Sequence, residues 1–166
     1  MNTTINTHSP YVALESEPRW YADSLLEFLI PERATHGTIS VFRATMPEGS
    51  GPPRHVHSRE DEAFVVLEGD VLFEIDGERI AAGPGASLYA PRGVAHAFRV
   101  QSPVAVTLGI VTPGAFEQHF RELSAPAGRR ALPGPDAMPF DIPAVIALQA
   151  QLGSETVGPP LTADEA

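Results

Sequence analysis

The chain has 166 residues and a mass of 17.7 kDa, which makes one domain of ordinary size, and 43% apolar residues are enough for a core. Eleven basic against 21 acidic side chains leave a net charge of −10, which argues against nucleic-acid backbones and anionic membranes as partners. Cysteine and lysine are both absent, excluding disulfides, thiolate metal sites, thiol nucleophiles, Schiff-base chemistry and P-loop phosphate binding.

Residues 1–18 are polar and without period, and read as a flexible N-terminal arm or a strand lent to a neighbouring chain. They hold no Lys or Arg and no continuous apolar stretch, so no secretory leader is expected and the chain reads as cytoplasmic. The longest apolar runs, such as 103–111, fall well short of the roughly 20 residues of a membrane helix. From residue 19 to 112 short apolar runs alternate with turn signals. The predicted strands are 24–30, 38–46, 63–67, 71–75, 78–81, 87–90, 96–100 and 104–111. Asp76-Gly77 is the strongest hairpin signal, because a type I′ turn needs positive φ at both central positions. Short strands at this spacing make an all-β sandwich or small barrel.

After residue 112 the pattern changes. Pro113-Gly114 opens a predicted helix over 115–123, with Phe116, Phe120 and Leu123 on one face and His119 on the opposite, solvated one. Residues 125–139, rich in Pro, Gly and Ala, read as a surface loop. Asp141 is a helix cap, Pro143 fits the first turn, and the helix runs through Leu152 to a stop at Gly153. There is no internal repeat, so the expected organisation is an arm (1–18), one barrel (19–112), and a C-terminal helical extension and tail (113–166).

Chemistry concentrates in two stretches. In the first, His55 and His57 are two apart, so on a strand both imidazoles aim at one point. Glu62 can join them if the polar connection 58–61 bends, which also puts Phe64 and Val66 on the metal-side face and Ala63, Val65 and Leu67 on the other. Glu60 and Asp61 compete with Glu62 for the working carboxylate. In the second stretch, Pro91 and Gly93 fit the second and fourth positions of a type I turn that starts a strand at His96. Three imidazoles and a carboxylate suit iron, manganese, cobalt, nickel, copper or zinc, and spacing does not choose among them. Each feature alone has an ordinary reading: a surface histidine pair, a solvated acidic turn, a hydrogen-bonded core histidine. His8 reads as solvated and His36 as a turn residue that could rim a pocket. Arg54 and Arg92 read as solvated, with an anionic substrate group as the alternative partner.

The two stretches resemble the two motifs of the cupin superfamily. Gly49, His55, His57, Glu62 and Gly69 match the first, which is Gly, five residues, His-X-His, three or four residues, Glu, six residues, Gly. Gly85, Pro91, Gly93 and His96 match the second, while Val100 stands where the family usually has Asn, a residue that is not a metal ligand. The segments 51–57, 60–69 and 91–98, with 157–161 in the tail, are similar to single-domain bacterial cupins related to quercetin 2,3-dioxygenase. The resemblance implies a jelly-roll barrel (double-stranded β-helix) with short C-terminal helices. It implies one divalent transition metal per chain, held by His55, His57, Glu62 and His96. It also implies a dioxygenase that cleaves a small aromatic or enol substrate with O₂, Glu62 removing the proton from the substrate hydroxyl. In the flavonol reaction the ring then opens with loss of carbon monoxide. Phe64 and Phe98 would line the substrate pocket, and two chains would pair as a homodimer. A metal-dependent cyclase or isomerase, and a small-molecule-binding cupin without enzymatic activity, are the alternatives.

Overall fold

The structure, a computed structural model, describes residues 10–134 and 141–163. In chain order its strands are β1 (Glu17–Tyr21), β2 (Ser24–Ile30), β3 (Ser40–Pro47), β4 (Pro53–His57), β5 (Asp61–Glu68) and β6 (Val71–Ile75), followed by β7 (Glu78–Ala82), β8 (Ser87–Ala90), β9 (His96–Val100), β10 (Val104–Thr112), β11 (Ala125–Pro126) and β12 (Ser154–Pro160). Two helices, α1 (Glu117–Glu122) and α2 (Ile142–Leu152), and two 3₁₀ turns, Glu32–Thr35 and Gly114–Phe116, complete the described elements. One sheet has the order β11-β1-β2-β3-β10-β5-β8 and the other β12-β4-β9-β6-β7, with antiparallel pairing. From β3 to β10 the chain crosses between the sheets at all connections but one, the β6–β7 hairpin. That crossing pattern winds two sheets around one interior and makes the jelly roll expected from the strand spacing.

Alternation decides which side chains fill the interior. Ser40, Phe42, Ala44 and Met46 of β3, Glu62, Phe64 and Val66 of β5, and Ala105, Thr107 and Val111 of β10 are buried, while their neighbours are less so. Val71, Phe73 and Val100 meet them from the other sheet. Val66, Val71, Phe73, Val100 and Val111 are almost wholly enclosed, and each such side chain contributes roughly 1.5–3 kcal/mol. Gly109 makes room for Phe42, whose ring lies 2.4 Å from where a Cβ would stand.

Local signals were obeyed where the chemistry is local. Asp76 (φ 53°) and Gly77 (φ 79°) form the hairpin turn, and Ile75 pairs with Glu78 across it. Asp141 caps α2 by accepting from the Ala144 N–H at 3.4 Å, Pro143 lies in its first turn, and Gly153 ends it at φ 81°. The structure differs from the sequence reading in several elements. β1 begins at Glu17, inside the expected arm, and β1 and β4 are strands outside those predicted. Strand 38–46 starts at Ser40, because the Thr38 N–H closes the 3₁₀ turn on the Thr35 carbonyl at 3.1 Å. Helix 115–123 divides into the 3₁₀ turn Gly114–Phe116 and α1. The loop 125–139 opens with β11, paired to β1, while 135–139 lie outside the described residues. β12 was not anticipated: its Gly158, Pro159 and Pro160 argue against a strand by propensity, and it forms at a sheet edge, where missing donors are tolerated. No helix among the described residues is long and apolar enough to cross a membrane.

Candidate metal centre

β4, flanked by β12 and β9, brings His55 and His57 to the same side of its strand, and both are buried. His96, the first residue of β9, stands directly across from His55 in register. Glu62 enters from the facing sheet on β5, whose burial alternates as the bend at 58–61 requires, with Glu62, Phe64 and Val66 inward. The turn before His96 is fastened on two sides. Gly93 N–H donates to the His57 carbonyl at 2.7 Å, and the Arg92 N–H and guanidinium donate to Asp61 at 2.9–3.0 Å. This turn runs one residue later than expected. Val94 N–H bonds the Pro91 carbonyl, placing Gly93 third, at the φ of 79° that favours glycine.

One nitrogen of each imidazole and one oxygen of Glu62 lie within 4.8 Å of one another, and all four residues are buried. His96 Nε2 is 3.1 Å and His57 Nε2 3.5 Å from Glu62 Oε2. The His55 and His96 rings are 4.3 Å apart, centre to centre. His55 Nδ1 lies 2.9 Å from the Pro53 carbonyl and His96 Nδ1 3.0 Å from that of Val94. A carbonyl only accepts, so each Nδ1 carries the proton and each Nε2 presents a lone pair to the cluster. Two lone-pair atoms 3.1 Å apart repel unless a proton or a cation lies between them. His57 Nε2, buried without a hydrogen-bond partner, has the same need. Four nitrogen and oxygen donors around one point fit a divalent transition metal.

The charge states agree with this. Burial pushes the His55 imidazole down to about 3, with His96 adding to the effect, so it stays neutral. Burial also opposes charge on His96, but the hydrogen bond and charge of Glu62 carry it above its ordinary value. Burial alone would raise the Glu62 carboxyl, yet the His96 hydrogen bond and the His57 and His96 imidazoles beside it hold it well below the usual range.

Residues 42–112, which include all four of these side chains, match the Cupin domain family. The chain carries a cupin domain. It is 31% identical over 135 residues to quercetin 2,3-dioxygenase of Bacillus subtilis, covering 80% of this chain and 40% of that enzyme's length. The chain therefore spans less than half of the curated relative it matches. Among solved structures, a predicted oxalate decarboxylase from Thermotoga maritima shares the fold with a TM-score of 0.56 at 20% identity, covering 62% of this chain and 98% of that one. An RmlC-like cupin from Shewanella frigidimarina does so with 0.54 at 16%, covering 63% and 92%.

The remaining residues singled out in the sequence fall into place around the cluster. Phe64 is buried, its ring 6.3 Å from that of His96, and Phe98 is partly buried 5.9 Å from Phe64. Asp61 is clamped by Arg92, which holds its carboxyl well below the usual range. Arg54 pairs with Glu74, so neither arginine is merely solvated. His36 sits in an exposed turn, and His8 lies outside the described residues.

His119 corrects the sequence reading. It is 3% exposed, stacked on Phe116 at 4.8 Å, with Nε2 2.9 Å from the Tyr21 hydroxyl. The sequence reading put it on a solvated face opposite the Phe residues, but three residues after Phe116 and four before Leu123 it shares their face, and Tyr21 of β1 covers it there. Phe116 in turn meets the His57 ring edge-on at 4.2 Å. Burial lowers His119 to about 4 and raises Tyr21, the latter also under the charge of Glu62. Glu60, which read as part of a solvated turn, is 3% exposed, and burial raises its carboxyl. Glu60 has no sequence signal, whereas the spacing of His119 from Phe116 and Leu123 is one that pointed to the buried face.

Proposed function

We propose that this protein is a metal-dependent dioxygenase of the quercetin 2,3-dioxygenase type, acting with O₂ on a small aromatic or enol substrate. The observation that carries the reading is the buried convergence of three imidazoles and one carboxylate. The identity to the Bacillus subtilis enzyme over 135 residues supports it. His55, His57, His96 and Glu62 would hold the ion. When bound, such a metal supplies a positive centre that stabilises a substrate oxyanion and allows redox chemistry with O₂.

The protein's own groups do the rest. Glu62 faces two imidazoles and is a weak base while it does so; turned toward a substrate hydroxyl and away from them, it accepts the proton. Phe64 and Phe98, set edge to face at 65°, supply an apolar lining for an aromatic ring. The surroundings exclude bulk water, which strengthens every charge interaction at the cluster. Pairing of two chains and residence in the cytoplasm belong to the same proposal.

Metal content per chain by elemental mass spectrometry, beside His57→Ala, tests the site. About one transition metal in the wild type and none in the variant is expected. Oxygen uptake with flavonols and other enols then tests the reaction, with Glu62→Gln expected to lose at least roughly 100-fold in kcat, as for a lost general base. Turnover without O₂ uptake would replace the dioxygenase by a cyclase or isomerase. Ligand-dependent stabilisation with no product would make it a binding module.

A further inference from the structure

Two of the three clustered imidazoles are oriented by backbone. His55 and His96 each place Nδ1 within 3.0 Å of the carbonyl two residues earlier, Pro53 and Val94. His57 has no such bond, and its Nδ1 is buried without a hydrogen-bond partner. Facing it, 3.9 Å away, is Oε2 of Glu60, itself buried and without a hydrogen-bond partner. Both side chains are at most 3% exposed. Two complementary orphans this close are an incomplete pair, since a buried polar group left without a partner is destabilising.

The other buried carboxylates show what Glu60 lacks. Glu27 is met by Arg43 and Arg130, and Glu117 by Arg121 and the Ser40 hydroxyl. Glu62 belongs to the cluster. Near Glu60, Arg92 is bound to Asp61 and Arg59 donates to the Gln151 carbonyl at 3.2 Å. The Glu60 Oε2 is thus turned to an imidazole where Glu27 and Glu117 are turned to arginine.

We propose that Glu60 is the positioning residue of His57: it accepts the Nδ1 proton, which selects the tautomer with a bare Nε2 aimed at the cluster, and so sets the site's affinity for a transition-metal ion. The inference rests on the metal-site reading given above. A side-chain rotation that shortens 3.9 Å by about 1 Å makes the bond. A carboxylate holds a ligating imidazole more firmly than a carbonyl does and makes it the better donor. His57 would then be the strongest nitrogen donor of the three.

Two measurements test this. Metal-free protein is titrated with Co²⁺ by calorimetry in wild type, Glu60→Leu and Glu60→Gln. The expected result is a roughly 10–100-fold weaker affinity in Glu60→Leu, with most of it regained in Glu60→Gln, whose amide oxygen still accepts. Long-range ¹H–¹⁵N NMR of the metal-free wild type should show His57 protonated at Nδ1, and Glu60→Leu should show mixed tautomers. Equal Co²⁺ affinity in a folded Glu60→Leu, or a wild-type His57 protonated at Nε2, overturns the proposal. If Glu60→Leu does not fold, Glu60→Gln and the wild-type tautomer decide. A wild type that binds no Co²⁺ removes the metal reading instead, and the NMR result still judges the Glu60–His57 pair.

Discussion

At the scale of the residue, burial keeps His55 and His119 uncharged, and a partner carboxylate shifts His96 the other way. His119, enclosed against Phe116 and Tyr21, titrates near 4 in the folded protein, against about 6.5 for an unfolded histidine. Between those values the unfolded chain binds the extra proton, so His119's contribution is full above pH 6.5 and is lost as pH falls toward 4. The amount is on the order of 3 kcal/mol. Thermal melts of metal-free protein should therefore show a Tm that declines from pH 6.5 to 4, and His119→Gln should make the decline shallower. An unchanged slope would assign the acid sensitivity to other groups, His55 foremost, since it shifts in the same direction. The metal-ligand candidates were legible as residue types at a spacing. Glu60 was not, because a carboxylate in a polar run carries no mark of what will cover it, and the burial of His119 was legible only in its spacing from Phe116 and Leu123.

At the scale of the element, two glycines separate close approach from conformational freedom. A Cβ on Gly51 would lie 1.9 Å from the Phe98 carbonyl oxygen, so Gly51 lets the chain entering β4 lie against β9, where His55 pairs with His96. Gly77 is at φ 79° with nothing within 4 Å of a Cβ. Gly51→Ala should cost roughly 3 kcal/mol or more by forcing the backbones apart, and it should weaken metal binding as His55 moves away from His96. Gly77→Ala should cost only about 1–2 kcal/mol of left-handed strain and leave metal binding unchanged. Denaturant melts and Co²⁺ titration of the two variants check both statements, and equal losses of affinity would contradict them. Elements framed by their own turns, such as the β6–β7 hairpin and α2, could be read from sequence. β1, β11 and β12 could not, since their partners lie elsewhere in the chain and their residues carry little strand propensity.

At the scale of the whole molecule, the cluster joins the two sheets: β4 and β9 from one, β5 from the other. A metal bound there crosslinks the barrel and is absent from the unfolded chain. Free metal at 100 times its Kd should add about 2.7 kcal/mol, which for a domain of this size raises Tm by roughly 5–10 °C. A chelator should reverse the gain, and in His57→Ala neither addition nor removal should move Tm. A Tm independent of metal in the wild type would detach the cluster from metal binding.

Alternation and turn chemistry are local, and the sequence alone therefore determined an all-β body, the Asp76-Gly77 hairpin and the capped helix α2. Two motifs of histidine, carboxylate, proline and glycine at characteristic spacings also announced the cupin barrel and its candidate ligands. Only the tertiary structure decided how far each group is removed from water and what lies beside it. It placed His96 across from His55, clamped Asp61 with Arg92, buried His119 beneath Tyr21 and set Glu60 facing His57. The physical reason is the range of the interaction. Backbone preference acts over a few residues, whereas desolvation and charge pairing depend on whatever the fold brings within a few ångströms, regardless of distance along the chain.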